Sequence, residues 1–171
     1  MMQMNKKRKL KGNLQEKDVL KKLGISSWSE LPKDKYDDLA ALIPQTDRKD
    51  AVRIFNKLPD YVQVSGELIS LLKTVSVDLV KQGNDSHKKV LEGYQKTLDS
   101  LQKKLDQPRL LPWTRNKITK QMLEICDKMA RISEEHKNWI QRMVGTIGGA
   151  AVALVAIIGL IFGLPTGSNN K

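Results

Sequence analysis

The 171 residues contain one cysteine, Cys126, so no disulfide can close within the chain and nothing points to an oxidising compartment. Aromatic residues make up only 5%, which is sparse for a dense mixed core and ordinary for packed helices. Apolar residues alternating with polar ones, the mark of a half-buried strand, are nearly missing, and almost no sheet is expected. The first 24 residues hold no apolar run of the kind a secretory signal needs, and none is expected. Catalytic signatures are also missing. There is no phosphate-binding GxxxxGK[ST], no GxGxxG after a strand, and no carboxylate pair set in a cleft pattern. Of two histidines, His87 follows a helix-cap position and His136 falls on a heptad seam, with only Glu135 beside it. Neither has metal ligands at a working spacing. Cys126 reads as a small core residue, and Glu134-Glu135 as a solvated helix face. A non-enzyme is expected, with no cofactor, no metal and no small-molecule substrate.

What the chain has is positive charge, unevenly placed. The net charge is +11. Residues 1–24 carry eight bases against two acids, and residues 108–142 carry eight against four. Residues 25–107 nearly balance. The arm at residues 1–13 holds Lys6, Lys7, Arg8, Lys9 and Lys11. It reads first as a flexible solvated segment, then as a patch drawn to anionic lipid at about 1 kcal/mol per base. No aromatic is interleaved to stack on bases, so nucleic acid is not expected as a partner.

Residues 14–58 read as a subdomain of short helices, punctuated by Pro and Gly. Leu14, Val19, Leu20 and Leu23 share one face, and Gly24 fits the stop. Ser27 and Glu30 match a capping box, cut short by Pro32, with Trp28 as a packing anchor. Lys33 to Ile43 forms the next helix, ended by Pro44. Thr46 or Asp47 caps a third, with Ala51, Val52, Ile54, Phe55 and Leu58 inward. Helices this short need tertiary support, expected from the long helices that follow.

Residues 59–142 read as a long-helix bundle with coiled-coil character. Pro59 to Lys81 is apolar on more than one side, through Leu68, Ile69, Leu71, Leu72, Val75, Leu79 and Val80. A turn at residues 82–85, with Ser86 as cap, leads to a second helix. There Leu91, Tyr94, Leu98, Leu101 and Leu105 step by three and four, a heptad seam, and the short turn implies an antiparallel hairpin. Thr114 is expected to cap a third helix. Ile118, Met122, Ile125, Met129 and Ile132 continue the same rhythm toward Trp139.

Residues 143–164 have no charged side chain, and only Thr146 is polar. As a helix, they span roughly 33 Å, enough for a bilayer core of about 30 Å. The heptad rhythm can be followed into this run, so one long helix is expected to leave the bundle and become a single transmembrane helix. Gly145, Gly148 and Gly149 are its natural hinge. Lys137 and Arg142 flank the span, Trp139 suits the interfacial belt, and residues 165–171 form a short tail. The positive-inside rule then places the bulk of the chain on the cytoplasmic face, in a tail-anchored, single-pass arrangement. Gly145, Gly149 and Ala153, and again Gly159 and Gly163, form small-xxx-small faces suited to helix self-association in lipid.

The sequence therefore implies an all-α protein: a cytoplasmic helical bundle held at the membrane by its C-terminal helix. Membrane lipid, a protein partner and a homo-oligomer are the expected associations. An adaptor or scaffold role fits best. The alternative is a toxin-like or holin-like effector whose Gly/Ala-rich span oligomerises when the bundle is triggered.

Overall fold

The structure, a computed structural model, describes residues 13–83 and 85–132. These residues form six α-helices: α1 (Glu16–Leu23), α2 (Tyr36–Leu42), α3 (Arg48–Lys57), α4 (Tyr61–Lys81), α5 (Lys88–Leu105) and α6 (Pro112–Ile132). Short 3-10 turns occupy Trp28–Glu30, Lys33–Lys35, Ile43–Gln45 and Asp85–His87. Among the described residues there is no strand. An isolated bridge joins Leu14 to Thr46, where the Leu14 amide donates to the Gln45 carbonyl at 2.7 Å.

Local chemistry accounts for most element ends. Gly24 takes a left-handed conformation at φ 68°, which a side chain resists, and so ends α1. The amides of Gly24 and Ile25 turn back to the carbonyls of Lys21 and Leu20, satisfying groups that a helix end leaves open. Asp47, rather than Thr46, caps α3: its Oδ1 accepts from the Asp50 amide at 2.8 Å. The Thr46 hydroxyl instead donates to the Ile43 carbonyl at 2.8 Å.

Four local expectations change. The box at Ser27 does not close. Ser27 Oγ accepts from the Ser29 amide at 3.4 Å, while the Glu30 carboxylate accepts from Ser26 at 3.2 Å. Pro32 forces Leu31 into extended backbone, so only one tight turn fits before it. Pro44 does not stop the chain at once: Ile43–Gln45 form a further 3-10 turn, at whose start a missing N–H costs nothing. Ser86 does not cap α5. It sits within the Asp85–His87 turn and pairs with His87 Nδ1 at 3.1 Å. Thr114 does not cap α6, because the helix starts two residues earlier at Pro112. Proline's fixed φ suits the first helical position, and the Leu111 carbonyl already accepts from Thr114 and Arg115 at 2.9 and 3.1 Å.

Helix α4 is the axis of the molecule. Nine of its residues are buried, from Tyr61 through Leu68, Ile69 and Leu72 to Leu79, too many for one narrow stripe. It packs against α3, α5 and α6. The α5 helix has a single buried stripe, Leu91, Leu98, Leu101 and Leu105. It returns beside α4: Gln102 lies over Gly66, and Lys73 pairs with Asp99, so the two run in opposite directions. The short helices close the other side. One apolar cluster runs from Val19 and Leu23 through Phe55 and Leu72 to Ile118 and Met129, so residues 14–58 share a core with the long helices.

Candidate interaction surfaces

Two polar junctions fix how the helices sit. The larger lies where α3, α4 and α6 meet. Tyr61, fully buried at the start of α4, donates from Oη to the Arg115 carbonyl at 2.9 Å and lies 3.1 Å from the Thr119 hydroxyl. The Thr119 hydroxyl donates to Asn56 Oδ1, and Asn56 Nδ2 donates to Asn116 Oδ1 at 3.3 Å. Arg115 reaches the Asn56 carbonyl at 3.3 Å, with its guanidinium carbon 5.0 Å from the Tyr61 ring centroid. Phe55 meets the same ring edge-on at 5.4 Å. Burial pushes the Tyr61 hydroxyl above its ordinary pKa, against the opposing pull of Thr119 and Arg115. Buried polar groups with several partners allow few alternative arrangements, so this cluster sets the rotation of α6 about its own axis.

The smaller junction binds α1 to α3. Glu16 Oε1 accepts from Trp28 Nε1 and from Lys57 Nζ, both at 2.7 Å. Burial raises the Glu16 pKa, but the bonds from Lys57 and Trp28 outweigh it and hold the carboxyl net below its ordinary value. Nearby, the Tyr36 hydroxyl donates to Asp60 at 2.8 Å, tying α2 to the start of α4.

With its rotation fixed, α6 shows the core Ile118, Met122, Ile125, Cys126 and Met129, all buried. It shows solvent Trp113, Lys117, Lys120, Glu124, Lys128 and Arg131, all exposed. These six follow steps of four, three, four, four and three, so they form one stripe about 27 Å long at 1.5 Å per residue. Trp113 is 66% exposed and Leu111, just before the helix, 49%. A tryptophan so exposed is the most unusual feature of the surface. Arg109, Arg115, Lys117 and Lys120 fall within residues 107–123, where there is no acid at all. Farther along, Arg131 pairs with Asp127 at 2.9 Å, and the Lys128 ammonium lies 5.9 Å from the Tyr94 ring centroid.

The seam residues read from the heptads lie as follows. Leu91, Leu98, Leu101 and Leu105 on α5 are buried, as are Ile118, Met122, Ile125 and Met129 on α6. Tyr94 and Ile132 are partly buried against the same cluster. His87 is exposed. Cys126 is a free, buried thiol whose pKa is pushed up by burial. Among the described residues, no three His, Cys, Asp or Glu side chains gather as a metal site, and no helix is long and apolar enough to cross a membrane. The basic arm (Lys6, Lys7, Arg8, Lys9, Lys11), His136, Lys137, Trp139, Arg142, the apolar run 143–164 with Gly145, Gly149, Ala153, Gly159 and Gly163, and the continuation of α6 into it lie outside the described residues.

Two features escaped the sequence reading. The Tyr61 junction joins residues more than fifty positions apart, and no local pattern announces it. Trp113 carried a usable signal: it stands five residues before Ile118, out of phase with the seam, so a helix through it must turn it outward. Comparison with protein-family models, with curated proteins and with solved structures finds no match to this chain.

Proposed function

We propose that this protein is a non-enzymatic, membrane-anchored adaptor: a helical bundle on the cytoplasmic face that presents a surface to a protein partner and is held by a C-terminal transmembrane helix. The carrying observation is the uncharged run of residues 143–164, which begins eleven residues after Ile132, the last described residue of a helical bundle. A run of that length and polarity inserts in lipid as a helix, because only a closed hydrogen-bonded form satisfies its backbone there. Tyr61, Trp28, Asn56 and Glu16 are engaged in holding the helices together. The bundle side supports the reading through large apolar groups left outside a filled core: Val62 and Val77 on α4 and Val90 on α5 are each at least 39% exposed.

Alkaline-carbonate extraction of membranes from cells expressing the full chain tests the anchor. The protein should stay in the pellet, and Leu154→Arg should shift it toward the supernatant, since a central arginine costs about 2.5–3.5 kcal/mol on insertion scales. Release of the unaltered protein by carbonate defeats the proposal. The membrane-disrupting alternative draws on the nine Gly and Ala residues among those 22, including the two small-residue faces. A membrane-potential dye distinguishes the two. An adaptor leaves the potential intact on induction, whereas a lesion collapses it, and Gly149→Leu or Gly159→Leu should then restore it.

A further inference from the structure

The adaptor reading leaves the outward stripe of α6 without a task. We propose that this stripe, from Trp113 to Arg131, lies flat against the anionic headgroups of the membrane that holds the chain. The inference rests on the anchored reading and adds a second, peripheral contact to it.

The chemistry of the stripe fits a lipid surface. Lys117, Lys120, Lys128 and Arg131 point outward, with Glu124 among them and the half-exposed Asp127 paired to Arg131, so the unpaired bases gather toward the Trp113 end. Anionic headgroups attract bases in this arrangement, each adding to the hold. Trp113 is 66% exposed at one end, with Leu111 and Arg109 beside it. An indole ring with an apolar body and a polar N–H settles at the headgroup boundary, and leucine beside it enters the acyl edge. The Tyr61–Arg115–Thr119 junction holds α6 so that this face, and no other, is presented.

Position along the chain selects lipid over other anionic partners. Arg131 and Met143 are twelve residues apart. Even fully extended, that link reaches at most about 43 Å, so the end of α6 stays within that distance of the bilayer. A stripe about 27 Å long, tethered so close, meets the headgroups at high effective concentration. Single-stranded nucleic acid is the weaker occupant, since the stripe carries one aromatic at its end rather than a series on which bases stack.

The test uses the full chain in vesicles of phosphatidylcholine alone, or with about a third phosphatidylserine. An environment-sensitive fluorophore sits on Trp113→Cys; the native thiol, Cys126, is buried and stays unlabelled. The expected result is a blue shift with phosphatidylserine and none with phosphatidylcholine. It should reverse at high salt and be lost in the double variant Lys117→Glu/Lys120→Glu, whose far-UV CD should be unchanged. Equal emission in both vesicle types overturns the docking, as does an unaltered shift in the double variant. Displacement of the probe from the vesicles by single-stranded DNA at constant ionic strength also overturns it, in favour of nucleic acid. Carbonate extraction of the same vesicles reads the anchor separately. An integrated protein with a silent probe keeps the anchor and discards the docking. A responding probe on a protein that carbonate releases keeps the docking and discards the anchor.

Discussion

Tyr61 does more than fill space. Its hydroxyl is the hub through which α4 meets both the Arg115 carbonyl and Thr119. Tyr61→Phe keeps the ring against Phe55 and removes only these bonds, so unfolding stability should drop by about 1–3 kcal/mol, read from the urea midpoint at constant m-value. A neutral result would mean that the junction contributes no net stability. Glu16 carries a pH signature. Its folded pKa lies below the ordinary 4.5, so it contributes stability that is fully present above that value and is lost as pH falls through the lower, folded value. Glu16→Gln should abolish that part of the acid dependence while leaving the neutral-to-basic limb of the profile alone. Thermal unfolding of both proteins between pH 3 and 7 checks it, and superimposable acid limbs would remove Glu16 from the account. Cys126 is buried, and its raised pKa keeps it as thiol, so it should resist a thiol-specific disulfide reagent in the native protein and react promptly in denaturant.

At the scale of the element, helix ends offer a sharper comparison than helix middles. Asp47 accepts from the Asp50 amide, whereas Ser86, among the described residues, pairs with its neighbour His87. Asp47→Ala should cost about 0.5–2 kcal/mol, and Ser86→Ala should stay within about 0.5 kcal/mol. Equal effects from the two in urea titrations would contradict this assignment of caps. The pair also shows what was legible in the sequence. Leu91, Leu98, Leu101 and Leu105 were readable because a helix buries whatever repeats at three and four, and nothing local competes with that rule. Ser86 and Thr114 were not, and Ser27 was so only in part: it caps its tight turn, but the box with Glu30 stays open. A small polar residue before an apolar run offers a cap, but whether the backbone accepts it depends on neighbours such as Pro32 and Pro112. The Tyr61 junction was harder still, because its partners meet only after α3, α4 and α6 have packed. On the surface, the basic character of residues 108–142 was visible, whereas the stripe itself needed the azimuth of α6.

Over the whole molecule, the shared core decides how the parts unfold. Val19 and Leu23 on α1 belong to the same apolar cluster as Ile125 and Met129 on α6. Residues 14–58 and the long helices should therefore melt together rather than as separate subdomains. Exposure of the Cys126 thiol, on α6, should track loss of far-UV ellipticity with a single midpoint in urea. Thiol exposure well before helix loss would show α6 peeling away from a bundle that survives it.

The place of the Tyr61 junction along α6 has a mechanical consequence. Arg115 and Thr119 sit near the start of that helix, while any tether beyond Ile132 pulls from its far end. Tension along the axis first loads the buried apolar contacts of Met129 and Ile125, which are non-directional. It reaches the polar bonds to Asn56 and Tyr61 last. The bundle is thus compliant toward the Ile132 end of α6 and stiff toward its start, so a pull from that end is damped within α6 before it reaches the short helices.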